Sequence, residues 1–416
     1  MEFKNVRWRC MVTAMILALF SGIGYAWSVF QSPLIENFNW DLKSVSLTFT
    51  IQVLTSTVSP IFLGKYQKKL GVANYLRLGI LVYAAGLFAT RFTTSIPYLY
   101  VIFGLVVGSG IGMLYPCLMA YGASLFPDKT GMASGLVAGA YGFGAVLWAP
   151  TATFLMKQNS VLVVFSILAV IFAVVMLPLS FLLKEVPEEF KLQPSAQKKS
   201  SKNQPSAVDY TWKEMLQSYR YYILVIVLTL GATAGLMITG HASNIMQENL
   251  GFTAATAAVF VGLLSVSNTL GRLILGPLSD RVGRYNTMMF QFAVIGLAMF
   301  VLTVSSGVVF VAALLLISAC YGGFTSMISP VCADNFGLKY HAVNYTFLYV
   351  AYGLAGVIGP QLAAGIKSAS GGYTYAFLTV AAMSAVGLAL VLFLNIKNKS
   401  SMMKGSVQGG KQINHG

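Results

Sequence analysis

The chain has 416 residues, of which 56% are hydrophobic and only 9% charged, with a mean hydropathy of +0.73. Soluble domains carry about 25% charged residues, so this composition specifies an integral membrane protein. The net charge of +15 lies in short loops between apolar runs, a distribution that excludes a basic nucleic-acid groove.

A hydrocarbon core of ~30 Å takes about 20 apolar residues per helix. On that basis the spans fall at 9–31, 44–63, 75–91, 97–125, 131–156 and 161–183, and after a polar stretch at 220–247, 254–276, 286–305, 307–331, 341–366 and 373–395. The expected fold is all-α, with twelve transmembrane helices in two six-helix bundles, 1–183 and 220–396. The first span follows Lys4, Arg7 and Arg9, but its apolar run continues to Phe30, too long for a signal-peptide core, and it is read as retained. With the N-terminus cytoplasmic, 22 of the 27 Lys and Arg lie in inner loops and tails, and four (Lys43, Arg91, Lys157, Lys367) lie outside. The positive-inside rule then places both termini in the cytoplasm of a cell (inner or plasma) membrane protein.

In the first half, Tyr25 in the first span and Tyr115 in the fourth fall near mid-bilayer. Gly104, Gly108 and Gly112, then Gly131, Gly135 and Gly139, repeat every fourth residue. Such faces let helices pack closely or slide, and the spacing fits either use. The segment 184–219 carries Pro187, Pro194, Pro205, serines and a Lys198-Lys199 pair. It reads as a flexible cytoplasmic linker, with a short amphipathic helix at 210–219.

In the second half, His241 is the one histidine well inside a span, His341 standing at the edge of the eleventh. It is a proton-coupling candidate or an interhelical hydrogen-bonding residue near the outer end. The eighth span contains Arg272, a lone full charge that costs about 2.5–3.5 kcal/mol at mid-bilayer. All twelve acidic residues fall in loops or at helix ends, so no carboxylate is placed to neutralise it. Asp280 marks the inner surface, and Arg272, eight residues back, lies about 12 Å deeper. Asn268, at i−4, shares its face. An arginine fork binds a carboxylate bidentately, which points to a small organic anion as partner; snorkelling to the inner headgroups or capping helix ends at backbone carbonyls is the alternative. Tyr321 in the tenth span and Tyr352 in the eleventh are buried phenols that need partners, either the substrate or another helix. The tail, 397–416, reads as flexible. Cys10, Cys117, Cys320 and Cys332 have no metal or disulfide spacing, and no cofactor pattern occurs.

The halves echo each other. The stretch 63–71 after the second span matches 275–284 after the eighth, and 126–129 matches 336–339. Internal repeats of this kind build many transporters, with the substrate site at mid-bilayer between the halves.

The signature Gly276, Asp280, Arg281, Gly283 and Arg284 between spans eight and nine resembles the gating loop of the major facilitator superfamily. Its first copy departs, with Gln67 where an aspartate is usual, which bears on the N-terminal half of the gate network and not on the fold. Ser21 to Ser28, Phe126 to Gly135, Asn268 to Asp280 and Asn344-Tyr345 resemble the oxalate/formate antiporter family and related monocarboxylate carriers. The similarity runs over about residues 8–395. It implies a secondary transporter, not an enzyme, with Arg272, Asn268, Tyr25, Tyr115, Tyr321 and Tyr352 around the substrate, and a proton or counter-anion as coupling partner in a monomer. Oxalate exchangers of that family carry a lysine where this chain has Tyr352. One cation leaves a dianion half neutralised, at a cost of several kcal/mol, so lactate, pyruvate, formate or acetate fits better than oxalate. An oxalate/formate-type exchanger and a non-transporting sensor on the same fold are the alternatives. A cation exporter of this fold is disfavoured, because it would place a carboxylate in the cavity.

Overall fold

The computed structural model describes residues 2–126, 130–187, 209–337 and 340–413. The paired stretches at 127–129 and 338–339, the linker core 188–208 and the last three residues lie outside the described residues. Among the described residues, twelve helices are long and apolar enough to cross a membrane. We number these spans α1 (Val6–Ala26), α2 (Leu42–Gln67), α3 (Val72–Phe92), α4 (Ile96–Leu125), α5 (Gly135–Met156) and α6 (Val161–Ser180). The second set is α7 (Tyr219–Leu250), α8 (Ala254–Val282), α9 (Arg284–Val304), α10 (Gly307–Phe336), α11 (Val343–Ser370) and α12 (Thr374–Lys397).

Each half has its own aromatic core. In the first, Phe20, Trp148 and Phe172 meet edge-on with centroids 4.5–5.3 Å apart. In the second, Phe292 packs on Phe324 at 4.8 Å. The halves meet where α2 lies on α11 and where α5 lies on α8.

The two glycine stripes serve different contacts. A Cβ on Gly104 would lie 2.6 Å from Ile51 Cγ2, and one on Gly108 would lie 2.9 Å from the Gln52 carbonyl. That stripe seats α4 on α2 inside one half. Gly135 and Gly139 instead face Leu273 and Thr269 of α8, so the second stripe lies between the halves.

Several spans are broken rather than continuous. The first runs as an α-helix to Ser21, tightens to a 3-10 turn over Gly22–Ala26, and resumes as Ser28–Phe38. The fifth stops at Gly142 and restarts at Gly144. The two breaks touch: a Cβ on Gly144 would lie 2.8 Å from Gly22 Cα. Only glycines allow backbones this close, and the tightened turn places Tyr25 at the contact. The eleventh breaks at Tyr349, between His341–Leu348 and Val350–Ser370.

The expected gating loop is mostly helix. Gly276, Asp280 and Arg281 lie in the last turns of α8, which persists through Pro277 to Val282. Gly283 alone makes the turn, with φ +107°, and Arg284 opens α9. Arg284 pairs with Asp280 one turn back on the helix, donates to Ser279 Oγ, and reaches Asp334 of α10 at 3.0 Å. These bonds offset the helix hydrogen bond that Pro277 removes.

The final helix runs from Thr374 to Ile413, through most of the stretch read as a flexible tail. No proline follows Pro360, and extending an existing helix avoids the cost of a new nucleus.

The short helix expected at the end of the linker is present as Trp212–Gln217, opened by a Thr211/Glu214 capping box. The Thr211 backbone N–H, bonded to the Glu214 carboxylate, holds that group below its usual range. Tyr210 N–H donates to the Phe336 carbonyl, and Asn344 Nδ2 donates to the Tyr210 carbonyl at 2.8 Å. The linker end is thereby tied across α10 and α11.

Candidate functional site between the two halves

Arg272 is buried, with 8% of its surface exposed. It points across to the first half rather than along its own helix to the membrane surface, as snorkelling would require. Its Nη2 donates to Tyr25 Oη at 2.7 Å, and its Nη1 faces Tyr115 Oη at 3.3 Å and the Ala138 carbonyl at 3.4 Å. Its Nε donates to Asn268 Oδ1 at 3.1 Å. Every acceptor is neutral. With five N–H donors on the guanidinium and four acceptors, one Nη2 hydrogen has no protein partner among the described residues.

The register of α8 is set by backbone contact with α10. A Cβ on Gly271 would collide with the Ala319 carbonyl, and one on Gly322 with the Asn268 carbonyl. At that crossing Asn268 Nδ2 donates to the Ser318 carbonyl at 3.3 Å. The amide is thus turned so that its oxygen faces the arginine.

Among the described residues, Tyr321 and Tyr352 make no hydrogen bond to Arg272, but both hydroxyls face Tyr25, which does. Their hydroxyls bond each other at 3.0 Å. The Tyr321 ring is seated in a notch at Gly235 of α7. Tyr25 and Tyr115 hold the guanidinium directly, and Tyr321 and Tyr352 form a phenol pair behind Tyr25.

Three further tyrosines were not among the expected site residues. Tyr141 packs against both Tyr25 (centroids 5.5 Å) and Tyr115 (4.2 Å). The glycines at 139, 142 and 144 around it were the available signal. Tyr345 and Tyr349 stack in series with Tyr352, at 5.5 and 5.2 Å. Their spacing at 345, 349 and 352 is that of one helix face. His341 stacks below Tyr345 at 6.1 Å, so a column of rings leads from the end of the bundle that carries the termini to the phenol pair. The Ala138 carbonyl carried no sequence signal at all, because it is backbone.

On the other side of Arg272, a small pocket is lined by Tyr25, Thr239, Ala242, Val261, Leu264, Ser265, Asn268 and Ser318. Hydroxyls and one amide line one part and aliphatic side chains the rest.

His241 lies away from Arg272, at the end of the bundle opposite the termini. Its Nε2 donates to the Pro360 carbonyl at 3.0 Å and lies 3.3 Å from Ser46 Oγ, while Nδ1 faces Tyr373 Oη at 3.2 Å. A carbonyl only accepts, so Nε2 carries the hydrogen, and Nδ1 of the neutral ring accepts from the tyrosine. Around it, Asn244 accepts from Ser32 at 2.9 Å and donates to Gln31 at 3.0 Å. Gln361 donates to Thr50 at 3.4 Å. These bonds join the two halves and close that end.

The chain resembles known proteins over most of its length. The Major Facilitator Superfamily profile matches residues 10–360 and, separately, 226–412. The chain is 28% identical over 392 residues to the oxalate:formate antiporter of Oxalobacter formigenes, covering 93% of this chain and 91% of that protein. It is 22% identical over 408 residues to monocarboxylate transporter 13 of Rattus norvegicus, covering 93% and 88%. In fold it is similar to the nucleoside transporter NupG, with a TM-score of 0.72 at 13% identity over 93% of this chain and 99% of that one. Two six-helix halves meeting at a buried mid-span site, a repeated signature after the second span of each half, and a profile matched over most of the length lead to one conclusion: the chain belongs to the Major Facilitator Superfamily.

Proposed function

We propose that this transporter carries small monocarboxylates such as lactate, pyruvate, formate or acetate by alternating access, with the carboxylate held at Arg272. The observation that carries this reading is a buried guanidinium whose acceptors are all neutral oxygens. An arginine at mid-bilayer costs about 2.5–3.5 kcal/mol, and an incoming carboxylate would offset that cost through charge-assisted bonds that a phenol cannot match. The relatives named for oxalate:formate antiport and monocarboxylate transport support an anionic cargo.

Charge count favours the monoanion. The stretch of α11 facing the site offers the phenols of Tyr349 and Tyr352 and no second cation, so a dianion would keep an unbalanced charge. Oxalate/formate-type exchange is the second reading, favoured by the similarity to the antiporter over nearly the whole chain. His241 is the candidate for coupling to a proton, because it bridges Ser46 of one half to Pro360 of the other. In this reading the protein is a monomer in the cell membrane, with both termini in the cytoplasm, on the strength of the Lys/Arg asymmetry.

The test is uptake into proteoliposomes with a panel of labelled small carboxylates, with and without an inward proton gradient, and with and without a counter-anion inside. Saturable uptake of monocarboxylates, poorly inhibited by oxalate, is the expected result. Tight oxalate inhibition would favour the exchanger. Absence of uptake and counterflow for every anion would overturn the transport of carboxylates.

A further inference from the structure

At the end of the bundle that carries the termini, far from Arg272, a second polar pocket lies among α7, α9 and α12. It is lined by Tyr219, Arg220, Tyr285, Leu394 and Lys397. Two cations therefore share one small recess. Among the described residues the ion pairs are Arg284 with Asp280 and Asp334, and Lys367 with Glu248; Arg220 and Lys397 belong to none of them. Lys397 Nζ lies over the Tyr219 ring, 4.2 Å from its centroid, and 5.5 Å from that of Phe393. The Tyr285 hydroxyl donates to Asn335 at 3.1 Å, so its hydrogen is already committed, and it adds no charge to the recess.

The surroundings say what such a recess would meet. Tyr222, Phe393 and Ile396 are 55%, 50% and 68% exposed beside it, on spans that a bilayer surrounds. A soluble anion would find two cations set against a greasy wall. A phospholipid would find both of its parts matched, with its phosphate between Arg220 and Lys397 and its chains along Phe393 and Ile396. Tyrosines at this level are the usual residents of the membrane–water boundary, and basic recesses between spans are a known way of holding anionic headgroups.

We propose that Arg220 and Lys397 form a site for the phosphate of an anionic phospholipid, held at the rim of the second half. The site is independent of the cargo reading. A lipid bridging α7 and α12 would brace the half that carries Arg272 while leaving the interface between halves untouched.

The experiment uses the purified full chain in a neutral detergent. Phosphatidylglycerol, phosphatidylcholine and inorganic phosphate are titrated separately, with retained lipid read by native mass spectrometry and stability by thermal unfolding. Phosphatidylglycerol is expected to be retained and to raise Tm, and phosphatidylcholine to do neither. Each cation near a membrane surface contributes about fivefold in affinity, so Arg220→Gln with Lys397→Gln should bind phosphatidylglycerol ~30-fold more weakly. Arg220→Lys, which keeps the charge, should keep most of the binding and guards against a folding artefact. Lys213→Gln, which removes a cation at the same end but outside the recess, should bind within about twofold of the parent protein, the scatter of single surface changes. Unchanged binding by the double variant, equal retention of phosphatidylcholine, or an equal loss with Lys213→Gln would overturn the site. A Tm rise reproduced by inorganic phosphate alone would overturn the lipid assignment.

Discussion

Arg272 of α8 and Tyr25 of α1 are joined across the two halves by a 2.7 Å hydrogen bond from Nη2 to the phenol oxygen. It is the shortest bond the guanidinium makes. It also ends on the 3-10 turn where the first span is broken, so one bond couples the cargo candidate to a deformable point of the backbone. A carboxylate arriving at Arg272 would compete for that donor and change what holds the turn.

Replacing Arg272 tests the centre of the site. A hydrogen bond to a charged group contributes about 1.5–3 kcal/mol, or roughly 10- to 150-fold in affinity. Arg272→Lys keeps the charge and loses the fork, so carboxylate uptake is expected to fall by that order at matched expression. Arg272→Ala should fall further. Uptake by the alanine variant near the parent level would remove the anion site from this position.

The two phenols on the guanidinium should not be equivalent. Tyr25 accepts at 2.7 Å and Tyr115 at 3.3 Å. Tyr25→Phe is therefore expected to raise KM for a monocarboxylate, or lower its turnover, by about tenfold, the value of one good bond to a charged donor. Tyr115→Phe should have a smaller effect. The reverse order in initial-rate measurements would mean that this resting geometry is not the one that meets the substrate.

Charge balance predicts the effect of Tyr352→Lys. Tyr352 bonds Tyr321 at 3.0 Å and stacks on Tyr349, and a lysine there would add a second cation beside the cavity. Competition by oxalate against a labelled monocarboxylate should strengthen severalfold, since opposite charges in a low-dielectric site attract strongly. An unchanged rank order of competitors would show that the selectivity is set elsewhere.

His241 supplies a separate test. Glutamine can donate to the Pro360 carbonyl and accept from Tyr373, as the neutral imidazole does. His241→Gln is thus expected to keep exchange of one anion for another and to lose accumulation driven by an inward proton gradient. His241→Ala empties a fully buried site among Ser46, Pro360 and Tyr373 and should lower Tm through the cavity it leaves. Gradient-driven accumulation that survives in the glutamine variant would move the proton onto the substrate.

The crossing of α8 and α10 predicts a packing effect. Gly322 has no room for a methyl group, because the Asn268 carbonyl fills the space. Gly322→Ala must push the helices apart, at about 1–3 kcal/mol for such overpacking. Lower Tm together with weakened carboxylate binding is expected, since Asn268 and Arg272 move with the helix. A variant of parent stability and affinity would show that the site tolerates a shift of α8.

Much of this protein was legible in its sequence. Apolar run lengths determine the twelve spans, because a bilayer accepts little else. The repeat after the second and eighth spans marks the two halves. Arg272 stands out because a lone charge inside a span has to be explained, and Asn268 follows from helical spacing.

Tertiary structure alone decided which tyrosines meet the arginine. Tyr25, Tyr115, Tyr321 and Tyr352 look alike by depth, but depth is one coordinate, and contact also depends on helix rotation. Rotation is set by glycine contacts between distant segments: Gly22 against Gly144, Gly271 and Gly322 at the α8–α10 crossing, and Gly235 beneath Tyr321. Tyr141 and the Ala138 carbonyl join the site for the same reason. The breaks at Gly22–Ala26 and Tyr349, and the helix that carries on past Lys397, were equally hidden. Local sequence sets whether a segment prefers to be helical, while the neighbours packed against it decide where the helix tightens, turns or continues.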